Sequence, residues 1–373
     1  VTDIVISGSG LYTPPHSISN EELVQAFNQY VDLYNTEHSD EIAAGTLVPL
    51  EYSSCEFILK ASGIESRFVV DKQGILDPKR MRPNIPERGD EELSLLGEIG
   101  VAAAEQALES AGRRAQEIDL VIVACSNLQR AYPAIAIEIQ QHLGCSGYGY
   151  DMNVACSSAT FGIGAAADAI RSGTARCALV INPEVTSAHL NFRDRDSHFI
   201  FGDVATAVVV EAEAGCRSGR AFRILGTKFK TEFSNNIRNN FGFLNNCHPE
   251  PHDSSDKLFR QNGRRVFKEL LPMVSRVVQE HLQQMQLDAS DVKRFWLHQA
   301  NLTMNLFAAK RLLGRDPDAR ELPIVLDRYA NTSSAGSVIA FHLYSEDLQS
   351  GDKGLMSSFG AGYSVGSVIL ERC

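Results

Sequence analysis

Residues 151–159 read DMNVACSSA and residues 327–335 read DRYANTSSA, an offset of 176 residues. The offset sets Cys156 opposite Thr332. Near the same offset, ACSN (124–127) falls opposite HQAN (298–301), each closing an apolar run that follows an EID or SDV turn. A chain that repeats its own order in this way is most economically read as two similar halves. The expected boundary lies in AEAGCRSGR (212–220), giving a first half over 1–215 and a second over 216–373.

Working outward, strand-like runs alternate with helix-like periodicity along the chain, which predicts an α/β architecture. VTDIVISG, IDLVIVAC, CALVINPE and ATAVVVEA are the strands expected in the first half. AFRILGTK, RFWLH, PIVLD, GLMSSF and GSVILE are those expected in the second. The longest helical patterns, DEELSLLGEIGVAAAEQALESAG (90–112) and RRVFKELLPMVSRVVQEHLQQM (264–285), carry apolar residues at three- and four-residue spacing. Residues from about 28 to 95 do not fit the repeat. They read as an insertion of loops with a short helix, of the kind that covers a binding cleft.

With 373 residues, 44% of them hydrophobic and 22% charged, the chain has the composition of a globular protein with a substantial core. Its formal charge of −11 excludes a broad basic face, so nucleic acid is not an expected partner. No run is apolar enough to suggest a membrane span. The opening VTDIVISGSGLYTPP has no signal-peptide pattern, and the expected compartment is the cytoplasm. Eight cysteines lie without CxxC spacing, so neither a disulfide framework nor a metal site is expected. CHPEPH (247–252) reads as a plain loop.

A strand ending at Val154 and a helix from about Ser157 to Arg171 would put Cys156 at a helix N-terminus, where unpaired amides favour thiolate. The same letters suit a buried structural cysteine. What favours chemistry is that WLHQAN offers His298 and ANTSSAG offers Asn331, each at a strand-to-helix junction of the other half. In SSFGAGYSVGS (357–367), glycines permit close backbone approach. The amide of Ala361 is then a candidate to pair with that of Cys156 as an oxyanion hole.

ACSSATFGIGAAADAIRSGTARCALVI, RDRDSHFIFGDVATAVVV, LHQANLTMNLFAAKRLLG, DRYANTSSAGSV and FGAGYSVGS together resemble the β-ketoacyl-acyl-carrier-protein synthase III enzymes, condensing enzymes of the thiolase superfamily. The resemblance implies a thiolase-like fold of two βα halves in an α-β-α-β-α core, a homodimer, and decarboxylative condensation of an acyl-CoA with malonyl-acyl-carrier protein in fatty acid biosynthesis. It implies no cofactor beyond the coenzyme A thioester substrate. Cys156 would take the acyl group, while His298 and Asn331 would hold the malonyl carbonyl oxygen as carbon dioxide leaves. The tetrahedral oxyanion would rest on the amides of Cys156 and Ala361. Degradative thiolases carry a second cysteine in the last loop, and the position read as its counterpart here is Ser358.

The resemblance further implies Phe57 and Arg195 on either side of the adenine, with Arg264, Phe267 and Asn301 toward the pantetheine. It places Tyr132 (from the partner subunit), Phe201 and Phe359 at the acyl pocket. Arg265, Lys268, Lys310 and Arg311, with Arg264, are candidates for a basic patch that meets the acidic carrier protein; a solvated helix face is the alternative. The chain exceeds compact acetyl-specific members mainly in 28–95, which favours a medium-chain primer. Two rival readings stay open: a secondary-metabolism condensing enzyme using malonyl-CoA or a second acyl-CoA, and a Cys/His thioesterase-type hydrolase.

Overall fold

The structure, a computed structural model, describes residues 2–240 and 257–373. CHPEPH and Cys247 lie outside the described residues. Nine strands form the main sheet: β1 (Ile4–Tyr12), β2 (Leu120–Ala124), β3 (Tyr148–Met152), β4 (Cys177–Glu184), β5 (Val204–Ala212), β6 (Phe222–Thr231), β7 (Val292–Leu297), β8 (Lys353–Gly360) and β9 (Ser364–Arg372). Their spatial order is β7-β8-β9-β6-β1-β5-β4-β2-β3. Outward from the centre, β1-β5-β4-β2 and β6-β9-β8-β7 repeat the same pairing, two antiparallel contacts and then a parallel one. The two sets join through a short antiparallel contact, Val5 with Arg223 and Ile6 with Phe222.

Eight helices matter for the site: α1 (Asn20–Glu37), α2 (Cys55–Ser62), α3 (Leu95–Ala111), α4 (Ile135–Leu143), α5 (Ser158–Arg171), α6 (Gly263–Gln284), α7 (Leu302–Leu313) and α8 (Gly336–Leu343). Strand alternation sorts their neighbours into layers. Ile122, Val180 and Trp296 pack with α5 and α8. Val121 and Leu179 point the other way, onto α3 and α4. Phe295 and Leu297 face α6 and α7. The result is five layers with α5 and α8 in the middle. The small residues of α5 follow from that position: a Cβ on Gly162 would come within 2.9 Å of both Ala124 and Val180, and one on Gly164 would collide with the Phe229 ring.

Two sequence expectations differ from the structure. PIVLD is not a strand, because the amides of Val325 and Leu326 donate to Gln299 Oε1 rather than to a neighbouring strand. The segment from 28 to 95 has more regular structure than loops with a short helix. It holds most of α1, whose N-terminus carries a Ser19/Glu22 capping box, together with α2. Ile58 of this region, with Leu23 and Phe27 from the start of α1, packs with Phe199, Phe201, Leu326 and Ala330, one shell from the site. Among the described residues no helix is long and apolar enough to cross a membrane.

Candidate active site

The strand leading to the thiol ends at Met152, two residues earlier than expected, and α5 begins at Ser158. Cys156 therefore sits in a tight turn, Ala155–Ser157, just ahead of the helix. Ala155 has φ +46°, an uncommon conformation for a residue with a side chain and one that aims the next residue off the strand direction. Asn153 holds the elbow, accepting from the Ala155 amide at 2.8 Å and donating to the Ser126 carbonyl at 2.9 Å. The corresponding turn of the other half, Ser333–Ala335 ahead of α8, has Ser333 at φ +51°.

The two elbows pack face to face, and Ser333 Oγ donates to Cys156 Sγ at 3.5 Å. The amides of Ala361 and Cys156 also act on the sulfur and favour thiolate, but burial outweighs them and holds the half-buried thiol above its ordinary pKa. Gly360 makes the close approach possible. A Cβ there would lie 2.6 Å from Cys156 Cβ and 2.9 Å from Sγ. Ser358 turns away, its hydroxyl 2.8 Å from Ser337 Oγ; the residue of β8 that faces the imidazole is Phe359.

His298 follows β7, its amide donating to Ser357 at 2.8 Å. Its ring is buried and edge-on to Phe359 at 5.4 Å, and Nδ1 has no partner among the described residues. Burial pushes its pKa down to about 4, with the Ser333 backbone offsetting part of that shift, so the ring is neutral at physiological pH. Asn331 accepts from the Ser333 amide through Oδ1 at 2.8 Å and lines a cavity of about 560 Å³. Ser333 thus touches the sulfur, the amide of Asn331 and the surroundings of His298, a role that sequence reading missed although SSA recurs in both halves.

Gln299 and Glu184 were also missed. Gln299 donates to the Leu297 carbonyl at 2.9 Å while its oxygen takes the amides of Val325 and Leu326, tying the histidine loop to the segment that leads to Asn331. Glu184, fully buried, accepts from Ser126 Oγ at 2.6 Å and from the hydroxyl of Ser334, joining turns of both halves. Its carboxyl is held above the usual range by burial.

The cavity brings together Ala61, Arg264, Phe267, Lys268, Asn301 and Asn331. Asn301 shapes the wall, its oxygen capping α7 by accepting from Met304 N–H at 3.2 Å and its NH2 donating to the Ala61 carbonyl at 2.7 Å. Arg195 lies 4.3 Å above the Phe57 ring, so the two stack on each other. A base inserted between them needs roughly 7 Å, twice an ordinary contact distance, and the pair must part. Phe201 is buried between His189 and Phe259, its backbone bridging Asn331. Phe359 is buried behind His298. Tyr132 is 85% exposed on the β2–α4 loop and does not line this cavity.

On α6, Arg264, Arg265 and Lys268 are exposed. On α7, Arg311 is exposed and Lys310 pairs with Asp316 at 2.9 Å. Phe267 meets Phe307 at 5.7 Å, so the basic faces of α6 and α7 are neighbours beside the cavity.

Comparison with known proteins matches residues 150–232 to the 3-oxoacyl-[acyl-carrier-protein] synthase III family and residues 282–372 to its C-terminal family. The β-ketodecanoyl-[acyl-carrier-protein] synthase of Pseudomonas aeruginosa is 60% identical over 94% of this chain and all of that protein. The 3-oxoacyl-[acyl-carrier-protein] synthase III of Aquifex aeolicus superposes with a TM-score of 0.75 at 25% identity, covering 99% of both chains. The priming β-ketosynthase of the R1128 polyketide pathway superposes with a TM-score of 0.77 at 26% identity, covering 99% of this chain and 96% of that one.

Proposed function

Because the chain belongs to the 3-oxoacyl-[acyl-carrier-protein] synthase III family, an acyltransferase family of thiolase-like fold, we propose that it elongates octanoyl-CoA with malonyl-acyl-carrier protein, giving 3-oxodecanoyl-acyl-carrier protein. The condensation of an acyl-CoA primer with the malonyl carrier is the family's reaction, and the name of the 60% identical relative supports the chain length. Malonyl adds two carbons after decarboxylation, so a ten-carbon 3-oxo product requires an eight-carbon primer.

Cys156 thiolate attacks the thioester carbonyl, coenzyme A departs as its thiolate and takes up a proton from solvent, and the acyl group stays on sulfur. The amides of Cys156 and Ala361 stabilise the tetrahedral oxyanion. In the second stage the malonyl carboxylate leaves as carbon dioxide. The electron pair it leaves behind forms an enolate whose oxygen accepts from the imidazole N–H of His298 and the NH2 of Asn331. The carbanion then attacks the acyl carbon and Cys156 thiolate is expelled. The observation that carries this assignment is the neutral, deeply buried imidazole, tied to Asn331 through Ser333, whose backbone acts on the ring and whose amide donates to Asn331 Oδ1. A developing oxyanion needs donors, and an imidazole with a pKa of about 4 is a poor base but remains a donor.

Two further features support the condensing reading. The sulfur's hydrogen-bonding side chain is Ser333, whereas a thiol hydrolase needs the imidazole as base at the sulfur. Glu138, the nearest carboxylate along the β2–α4 segment, is occupied by Ser94 at 2.7 Å and Arg130 at 2.8 Å, so it is not free to deprotonate a second acyl-CoA. The carrier would dock on the basic faces of α6 and α7. A homodimer, in the cytoplasm, would form along β3, which ends the sheet with its outer edge unpaired.

The test is intact-mass measurement of Cys156 acylation with acetyl-, butyryl-, octanoyl- and dodecanoyl-CoA, followed by product analysis with malonyl-carrier protein. The octanoyl adduct should form fastest and be discharged by malonyl-carrier protein. Preferred acetylation, or discharge without malonyl groups, would overturn the proposal.

A further inference from the structure

A largely apolar cavity of about 360 Å³ lies apart from the one that Asn331 lines. Leu95, Leu96, Leu128, Val185 and Leu258 are among its walls. Two chains of contacts link its wall to residues around the site. Val185 follows Glu184 and Asn127 follows Ser126, the residues that hold Ser334 next to Ser333. His189, also in the wall, packs on Phe201 at 5.6 Å, whose backbone bridges Asn331.

His189 is the anomaly in this wall. It is 8% exposed, and neither ring nitrogen has a hydrogen-bond partner among the described residues. Buried polar groups are almost always paired, and leaving one unpaired is costly. Burial moves its pKa down to about 4, so the ring is neutral and offers one donor and one acceptor. An unsubstituted alkyl chain filling the cavity would leave both unmet, whereas a hydroxyl, able either to donate or to accept, would satisfy one of them.

We propose that His189 is a specificity-determining residue of the primer site that hydrogen-bonds an oxygen carried along the acyl chain, so that a hydroxyacyl-CoA is taken in preference to its unsubstituted counterpart. This rests on the reading of the protein as an acyl-CoA-primed condensing enzyme. A net hydrogen bond of ordinary strength corresponds to a preference of roughly 2- to 12-fold.

The experiment compares acylation rates of Cys156 by intact mass with octanoyl-, 3-hydroxyoctanoyl- and 8-hydroxyoctanoyl-CoA. It uses the wild type and His189→Leu, His189→Phe and His189→Gln. At least one hydroxyacyl group should add faster than octanoyl in the wild type. That ratio should fall to about one in the Leu and Phe variants and be kept by Gln, a pattern that a purely structural role would not produce. An unchanged ratio across the variants, or no hydroxyacyl advantage in the wild type because water already satisfies the ring, would overturn the inference and leave the proposed function standing. Absence of any adduct in the wild type would instead overturn the proposed function.

Discussion

At the scale of single residues, division of labour follows from electrostatics. Cys156→Ala removes the atom that carries the acyl group, so no acyl adduct should form. His298→Ala removes an oxyanion donor used after acylation. It should still acylate, while condensation falls about 10²- to 10³-fold; equal loss of acylation in both variants would contradict the assignment. The pH dependence can also be argued. Burial holds the Cys156 thiol above its ordinary pKa, so acylation should keep rising as pH increases through neutrality and past 8. A plateau below pH 7 would mean that the nearby amides win over burial. Sequence reading expected that second outcome from a helix N-terminus. It placed the start of α5 within one residue but could not see the enclosure of the thiol, which depends on the packing of Ser333 and Gly360 from distant segments.

Secondary-structure elements were legible where periodicity is strong, as in CALVINPE, which coincides with β4, and in the long patterns that became α3 and α6. They were not legible where a side chain replaces a backbone partner, as Gln299 does before Asn331. In α1 the apolar residues Leu23, Phe27 and Val31 recur every four positions, a signal present in the letters but hidden by the polar residues between them. Packing between elements then makes two demands that can be tested. Gly360→Ala should push Cys156 out of place, and since misplacement of about 1 Å costs near 10²-fold, acylation should fall by that order while circular dichroism stays native. Native acylation in that variant would show that β8 can retreat. Glu184→Ala leaves Ser126 and Ser334 without their shared acceptor and opens a void between the halves. It should lower unfolding free energy by about 2–5 kcal/mol in a denaturant titration, and a loss below 1 kcal/mol would show that water substitutes for the carboxylate.

At the scale of the whole molecule, four of the described histidines are buried and neutral with values pushed far down: His189, His281 and His298 to about 4, and His198 to about 3. Unfolded, each returns to about 6.5. Between those values the unfolded chain binds protons that the folded chain refuses, so stability is full above pH 6.5 and is lost as pH falls toward 4. Asp203 acts in the opposite sense, because burial raises its carboxyl to about 6 and the folded state takes up a proton there before the unfolded one does. Glu184 and Asp151 shift the same way as Asp203. Four histidines outweigh these carboxyls between pH 7 and 5, where unfolded carboxylates remain mostly ionised. The net loss over that interval is about 3–6 kcal/mol, a large share of the stability of an ordinary domain. Urea midpoints should therefore fall clearly from pH 7 to pH 5, well above the range in which surface carboxylates titrate, and His281→Gln should flatten the slope by about one proton's worth. A midpoint that is constant over this range would mean that the buried imidazoles gain protons in the folded state, and the neutral His298 on which oxyanion binding depends would then be in doubt as well.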